Sequence, residues 1–114
     1  HRDLHSFPTR RSSDLALGVI KPLINNSSSV IATTAALRVA SIYLQLGQHD
    51  QALLILEGQS DDGFSGLIYN LMGDIYLDLG NRTEAQKYYS LAINNVTENS
   101  NLTQLIQIKL DDLN

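Results

Sequence analysis

The chain contains no cysteine and no tryptophan. Without cysteine, disulfides and cysteine-ligated metals are excluded, although the compartment is not fixed by this. Only two prolines interrupt the 114 residues, so long helices can form. No apolar run reaches about 18 residues, the length a membrane-spanning helix needs. Basic residues are scarce as well. Residues 16–114 hold five, Lys21, Arg38, Arg82, Lys87 and Lys109, against ten acidic ones, a formal charge of 5 − 10 = −5. No basic stripe runs along them, which argues against a nucleic-acid partner.

What is present is a repeat. Ile42-Tyr43-Leu44 returns as Ile75-Tyr76-Leu77, Leu46-Gly47 as Leu79-Gly80 and Ala52 as Ala85; 75 − 42, 80 − 47 and 85 − 52 all equal 33. A period in the low thirties marks stacked helical units, each unable to bury its apolar face alone. Such arrays present long surfaces to other chains. Helical spacing of apolar residues predicts segments over 16–25, 30–46, 50–57, 64–79, 82–96 and 102–113. Pro22 and Gly18 weaken the first segment. Gly47 and Gly80 are expected to end their helices at positive φ. Asp50 and Asn81 are expected as N-caps, with Glu84 completing a capping box. Gly73 and Ala40 are small where a second helix crosses closely, and Tyr89 is expected to fill the core. Tyr43 and Tyr76 are expected between units. Lys109 is expected to lend only its aliphatic stem to a stripe formed by Leu102, Leu105, Ile106, Leu110 and Leu113.

Tyr69, Met72, Gly73, Tyr76, Gly80, Ala85, Tyr89 and Ala92 stand at the spacing of the tetratricopeptide repeat, which they resemble. Ala36, Val39, Ala40, Tyr43, Gly47, Ala52 and Leu56 repeat the pattern. The resemblance implies an all-α fold of helical hairpins: two repeats, a partial preceding helix and a C-terminal capping helix. The period is one residue short of the family's usual length, with the deletion expected around Asp61-Asp62-Gly63.

Residues 1–15, HRDLHSFPTRRSSDL, show no apolar periodicity. They resemble a translated sequencing adapter and are expected to be a non-native, disordered segment. The repeat domain is then 16–114, and the gene's own sequence before Ala16 is expected to be lost.

Catalytic and metal-binding patterns do not assemble. His49 stands in a turn beside Asp50, without the three or four converging ligands a metal needs. Gly63 and Gly66 precede no Lys-Ser/Thr, so no phosphate loop is present. Asp74 and Asp78, at i and i+4, read as a solvated stripe. The sequons at Asn26, Asn81, Asn95 and Asn101 read as turn and cap chemistry. No enzyme and no cofactor are expected.

The order LRVASIYLQLGQHDQALLILEGQ, the acidic-Gly turn before Phe64, LIYNLMGDIYLDLGNRTEAQKYYSLAI and the ending LTQLIQIKLDDLN resemble the periplasmic region of the YfgM family. These are ancillary subunits of the bacterial SecYEG translocon. The resemblance implies a non-enzymatic scaffold at the inner membrane's periplasmic face. It implies as partners the translocon, a PpiD-like periplasmic chaperone or translocating chains. Membrane attachment would come only through an N-terminal helix that this chain lacks. The alternative is a repeat domain of another envelope assembly factor, such as an outer-membrane or pilus assembly lipoprotein. A clamp for carboxylate tails is rejected, because Leu37, Ser41 and Leu71 replace the required Lys and Asn. Family geometry puts a partner-binding groove on the first helix of each unit: Thr34, Leu37, Arg38, Ser41 and Gln45, then Leu67, Asn70, Leu71, Asp74 and Asp78. Asp74 and Asp78 are expected to be free enough that reversing their charge leaves the fold intact.

Overall fold

In a computed structural model, which describes residues 10–26, 29–59, 62–96 and 100–113, helices α1 (Arg10–Asn26), α2 (Ser29–Gln45), α3 (His49–Glu57), α4 (Ser65–Asp78), α5 (Arg82–Asn94) and α6 (Asn101–Leu113) follow one another, with a 3-10 turn at Asp62–Phe64 before α4. The described residues contain no strand. Helices α2 and α3 form one hairpin, and α4 and α5 the next. Helix α1 packs on α2, and α6 packs on α5.

The 33-residue repeat has a backbone cause. Gly47 and Gly80 adopt φ of 77° and 84°. The Gly47 and Gly80 N–H groups donate to Leu44 and Leu77 carbonyls, both at 3.0 Å. The N–H groups of Gln48 and Asn81 reach back to Tyr43 and Tyr76 at 2.8 and 2.9 Å. This is a Schellman stop made twice, with a left-handed residue that glycine adopts without a Cβ penalty. The next helix starts immediately. Asn81 caps α5, its Oδ1 accepting from the Glu84 N–H at 3.2 Å. The reciprocal arm of a capping box has no donor, since the Asn81 N–H already serves Tyr76. Asp50 is not the cap of α3. Gln48 stands there, without a side-chain bond, and Asp50 lies in the first helical turn. Applying the 33-residue register to Asn81 gives Gln48, so the repeat itself carries the correct boundary.

Helix packing explains the small residues. Ala36, Ala40, Ala52, Ala85 and Ala92 are fully buried. A Cβ on Gly73 would lie 2.5 Å from Cε1 of Tyr89, so α5 crosses α4 with the tyrosine ring against bare backbone. Gly66 is a second such crossing that the motif did not announce; a Cβ there would run into Val96 and stand 3.0 Å from the Asn95 carbonyl. Two cores result. Leu17, Val39, Tyr43, Leu56, Ile68, Met72 and Ile75 lie in the first, and Ala85, Tyr89, Ala92 and Ile106 in the second. Tyr43 joins α1 to α2 by accepting from Lys21 Nζ at 3.0 Å. Tyr76 stacks instead within its own unit, on Tyr88 at 5.4 Å with a 4° interplanar angle.

Helix α1 differs from expectation at its start. It begins at Arg10, six residues before Ala16, and buries Ser13. Residues 10–15 are therefore helical, contrary to the disorder expected of them, while residues 1–9 lie outside the described part. Pro22 is tolerated inside α1. Leu17, Ile20 and Ile24 give this helix an apolar face that packs on the first core.

Gly73→Leu is expected to unfold the domain or nearly so. Overpacking costs about 1–3 kcal/mol and more where backbone must move, and two repeats hold little reserve. Thermal melting followed by circular dichroism checks this; an unchanged midpoint would refute the close crossing.

Candidate interaction surface

The expected groove residues lie on α2 and α4, and the two helices treat them differently. On α2, Thr34, Arg38 and Gln45 are exposed, and Ser41 is half-buried. Leu37 packs partly against the first core. The Thr34 hydroxyl donates to the Val30 carbonyl at 2.8 Å, which keeps it within its own helix. Arg38 has no hydrogen-bond or ion-pair partner among the described residues.

On α4 the polar residues are already engaged. Lys109 Nζ, from α6, donates to Asn70 Oδ1 at 3.0 Å and to both oxygens of Asp74 at 3.0 and 3.3 Å. The Tyr89 hydroxyl donates to Asp74 Oδ1 at 2.5 Å, and Lys109 lies 5.4 Å from the Tyr89 ring centre. Asp78 Oδ2 lies 2.6 Å from His49 Nε2 of α3, a contact that becomes an ion pair when His49 is protonated. The His49 side chain is only 18% exposed. Leu71 packs against the first core, and Leu67 is exposed.

Three expectations are thereby corrected. Asp74 is not a free member of the acidic stripe, so Asp74→Lys would set an ammonium against Lys109, whereas Asp78 stays solvated, 60% exposed beside His49. His49 is not a solvated turn residue. Lys109 contributes its ammonium as well as its stem, while Leu105, assigned to the same apolar stripe, is exposed. The bonded partners stand 35 and 29 residues apart in the chain, and no local spacing rule connects residues so distant. One signal was available: a lysine inside an apolar stripe, which burial makes costly unless an acid meets it.

Other bonds tie α6 down. Ser100 Oγ caps it, accepting from the Thr103 N–H at 3.1 Å. Arg82 donates to the Leu113 carbonyl at 2.9 Å, placing a cation at the helix C-terminus where the macrodipole favours it. Helix α6 therefore engages Asn70 and Asp74 of the second unit's groove, while Leu67 and Asp78 stay exposed, as do Thr34, Arg38 and Gln45 on α2. Among the described residues no group of three His, Cys, Asp or Glu side chains is placed to hold a metal.

Burial, followed by the hydrogen bond to Asp74 and its negative charge, raises the Tyr89 pKa well above the ordinary tyrosine value. Burial also raises Tyr76 and Tyr88, assisted by nearby negative charge that includes Glu84 and Glu57.

Stacked helical hairpins of this kind are the architecture of a protein-interaction scaffold. The model of the tetratricopeptide repeat-like domain family matches residues 16–114, and the chain belongs to that family. Its curated relatives include an ancillary SecYEG translocon subunit of Neisseria gonorrhoeae, 33% identical over 101 residues, covering 88% of this chain and 48% of that protein. A protein of the same name from Aggregatibacter actinomycetemcomitans is 33% identical over 91 residues, 80% of this chain and 44% of the relative. Another from Buchnera aphidicola is 28% identical over 78 residues, 68% of this chain and 39% of the relative. The chain spans about half the length of these relatives or less. No solved structure matches it.

Two outcomes test this surface. Lys109→Met keeps the stem and removes the ammonium; because the pair is partly solvent-exposed, the expected loss is about 1 kcal/mol, read by urea denaturation. Alkaline pH should destabilise the fold. Tyr89 holds its proton more tightly folded than unfolded, so its contribution is complete below about pH 10, the unfolded value, and is lost as pH rises above it. Urea midpoints measured across that range should fall, and Tyr89→Phe should flatten the fall.

Proposed function

We propose that residues 16–114 are the partner-binding, periplasmic part of an ancillary Sec translocon subunit, acting without catalysis beside a PpiD-like periplasmic chaperone. The observation that carries this reading is the shared name and 28–33% identity of the three relatives. The fold is compatible with it, since stacked hairpins offer a continuous surface to an extended or helical partner. Among the described residues no helix is long and apolar enough to cross a membrane.

The candidate contact is the exposed stripe of α2, with Thr34, Arg38 and Gln45 and the half-buried Ser41 between them. Those residues recur every three or four positions and so share one side of the helix. Arg38 supplies an anchor for an acidic group, because arginine can bind a carboxylate through two parallel hydrogen bonds. Asp78 acts one step back, joining α4 to α3 through His49, and both helices pack on α2, while Asn70 and Asp74 hold α6.

Photocrosslinking groups placed at position 38 or 45 are expected to capture translocon or chaperone subunits in bacterial membranes, whereas a group at the exposed Ser90 of α5 is not. Arg38→Glu should reduce capture from position 45, with a larger effect at low salt. Equal capture from positions 45 and 90, or none from either α2 site, would sink the assignment.

A further inference from the structure

Of α4, α5 and α6, the last is the least buried. Ile106 is its one buried residue out of thirteen, against five in α4 and three in α5. Leu105 and Ile108 are 47% and 59% exposed. Its polar anchors also lie near solvent. The Lys109 and Asp74 side chains are 23% and 31% exposed, and the Arg82 bonds to its last carbonyls are exposed. A segment with few buried apolar contacts and solvent-accessible bonds opens locally, at a lower free energy than the whole fold.

What α6 covers is a defined seat. Ile106 lies among Ala85, Tyr89 and Ala92 of α5, and Lys109 Nζ reaches Asn70 and Asp74 of α4. Ile106 and Lys109 stand three positions apart and so share one face of their helix. When α6 lifts, the Tyr89 hydroxyl stays on Asp74, because both belong to the α4/α5 hairpin. The carboxylate is then held in place without its cation, and a partly buried carboxylate favours a replacement cation. One repeat earlier the positions of Asn70 and Asp74 are Leu37 and Ser41, which carry no charge, so this seat belongs to the second unit.

We infer that α6 is a displaceable internal ligand, competing for the α4/α5 seat with a partner helix that carries a branched apolar residue and, three positions on, a lysine or arginine. The chemistry of the partner is the chemistry α6 itself displays. This surface is separate from the exposed stripe of α2 and is closed until α6 leaves. A helix with an acid at the position of Lys109 would set its carboxylate against Asp74 and is rejected. The inference goes beyond the translocon reading and does not depend on it.

The test has two arms, both on the 114-residue chain. Hydrogen exchange read by mass spectrometry is expected to show the α6 amides exchanging ahead of those of α4 and α5. Lys109→Met should speed exchange in α6 alone, by about fivefold, with circular dichroism confirming that the variant stays helical. The second arm is fluorescence anisotropy with a labelled peptide of the α6 sequence, NLTQLIQIKLDDL. Saturable binding is expected, about fivefold tighter to the Lys109→Met chain, whose own helix competes less well. A peptide carrying Lys109→Glu should bind about tenfold or more weakly. If α6 exchanges no faster than α4 and α5, it opens only when the whole domain unfolds, and the inference is overturned. Absence of saturable binding to either chain up to about 1 mM, or equal binding of the lysine and glutamate peptides, would overturn it as well. No translocon component enters these measurements, so their failure leaves the translocon assignment standing, and failed crosslinking in membranes leaves the exchange and peptide results standing.

Discussion

The crossing of α5 over α4 governs the second half of the molecule. At Gly73 the Tyr89 ring rests against backbone, closer than any side chain would allow. That approach brings the Tyr89 hydroxyl to Asp74. Asp74 in turn holds Lys109, and through it α6. A missing Cβ on α4 thus fixes the position of a helix more than twenty residues further along. The chain of contacts is polar at one end and apolar at the other. Ile106 is the fully buried apolar contact of α6, and the half-buried Lys109 ammonium finds its acceptors on α4, which offsets the cost of its partial desolvation.

The first unit lacks this device. Ser41, Leu37 and Gln45 stand 33 residues before Asp74, Asn70 and Asp78, and none carries charge. Its hairpin is closed by Val39, Tyr43, Leu56 and the alanines between them. The two units therefore share backbone geometry, through the twin glycine stops, and differ in what their groove positions do. In the second unit they bind α6 and α3; in the first, Leu37 packs on the core, Ser41 is half-buried and Gln45 is exposed.

The division between what could and could not be read from sequence follows the same line. Much of what local or periodic chemistry sets was legible, with the Asp50 cap, the Gly66 crossing and the seat of Tyr76 as exceptions. The glycines at positive φ, the buried alanines, the Gly73 crossing, the Tyr89 core position and the Asn81 cap all follow from spacing within one unit. The start of α1 was not, because Arg10–Leu15 carry no apolar rhythm of their own and are helical as an extension of Leu17, Ile20 and Ile24. Nor was the engagement of the acidic pair. Periodicity places Asp74 and Asp78 on a face of α4, but their partners come from α6 and α3. A family pattern transfers the location of a face, and the particular side chains opposite it decide whether that face is open.

Helix α6 shows how a repeat can be reused with its joint removed. Counted 34 residues from α4, Leu102 takes the place of Ile68, Ile106 that of Met72 and Lys109 that of Ile75. The burial agrees at one of these pairs, Met72 and Ile106, both in the core; Leu102 and Lys109 are half-buried where Ile68 and Ile75 are buried. The same count puts Gln107 where Gly73 stands. Gln107 is exposed and bonds to Asp111 of its own helix at 3.1 Å. Position 107 therefore lacks the bare backbone that lets Tyr89 approach α4 at Gly73. The face toward α5 keeps the geometry of a first helix, while the opposite face has lost it. Helix α6 thus repeats the buried apolar position of Met72 at Ile106 without the bare-backbone crossing of Gly73.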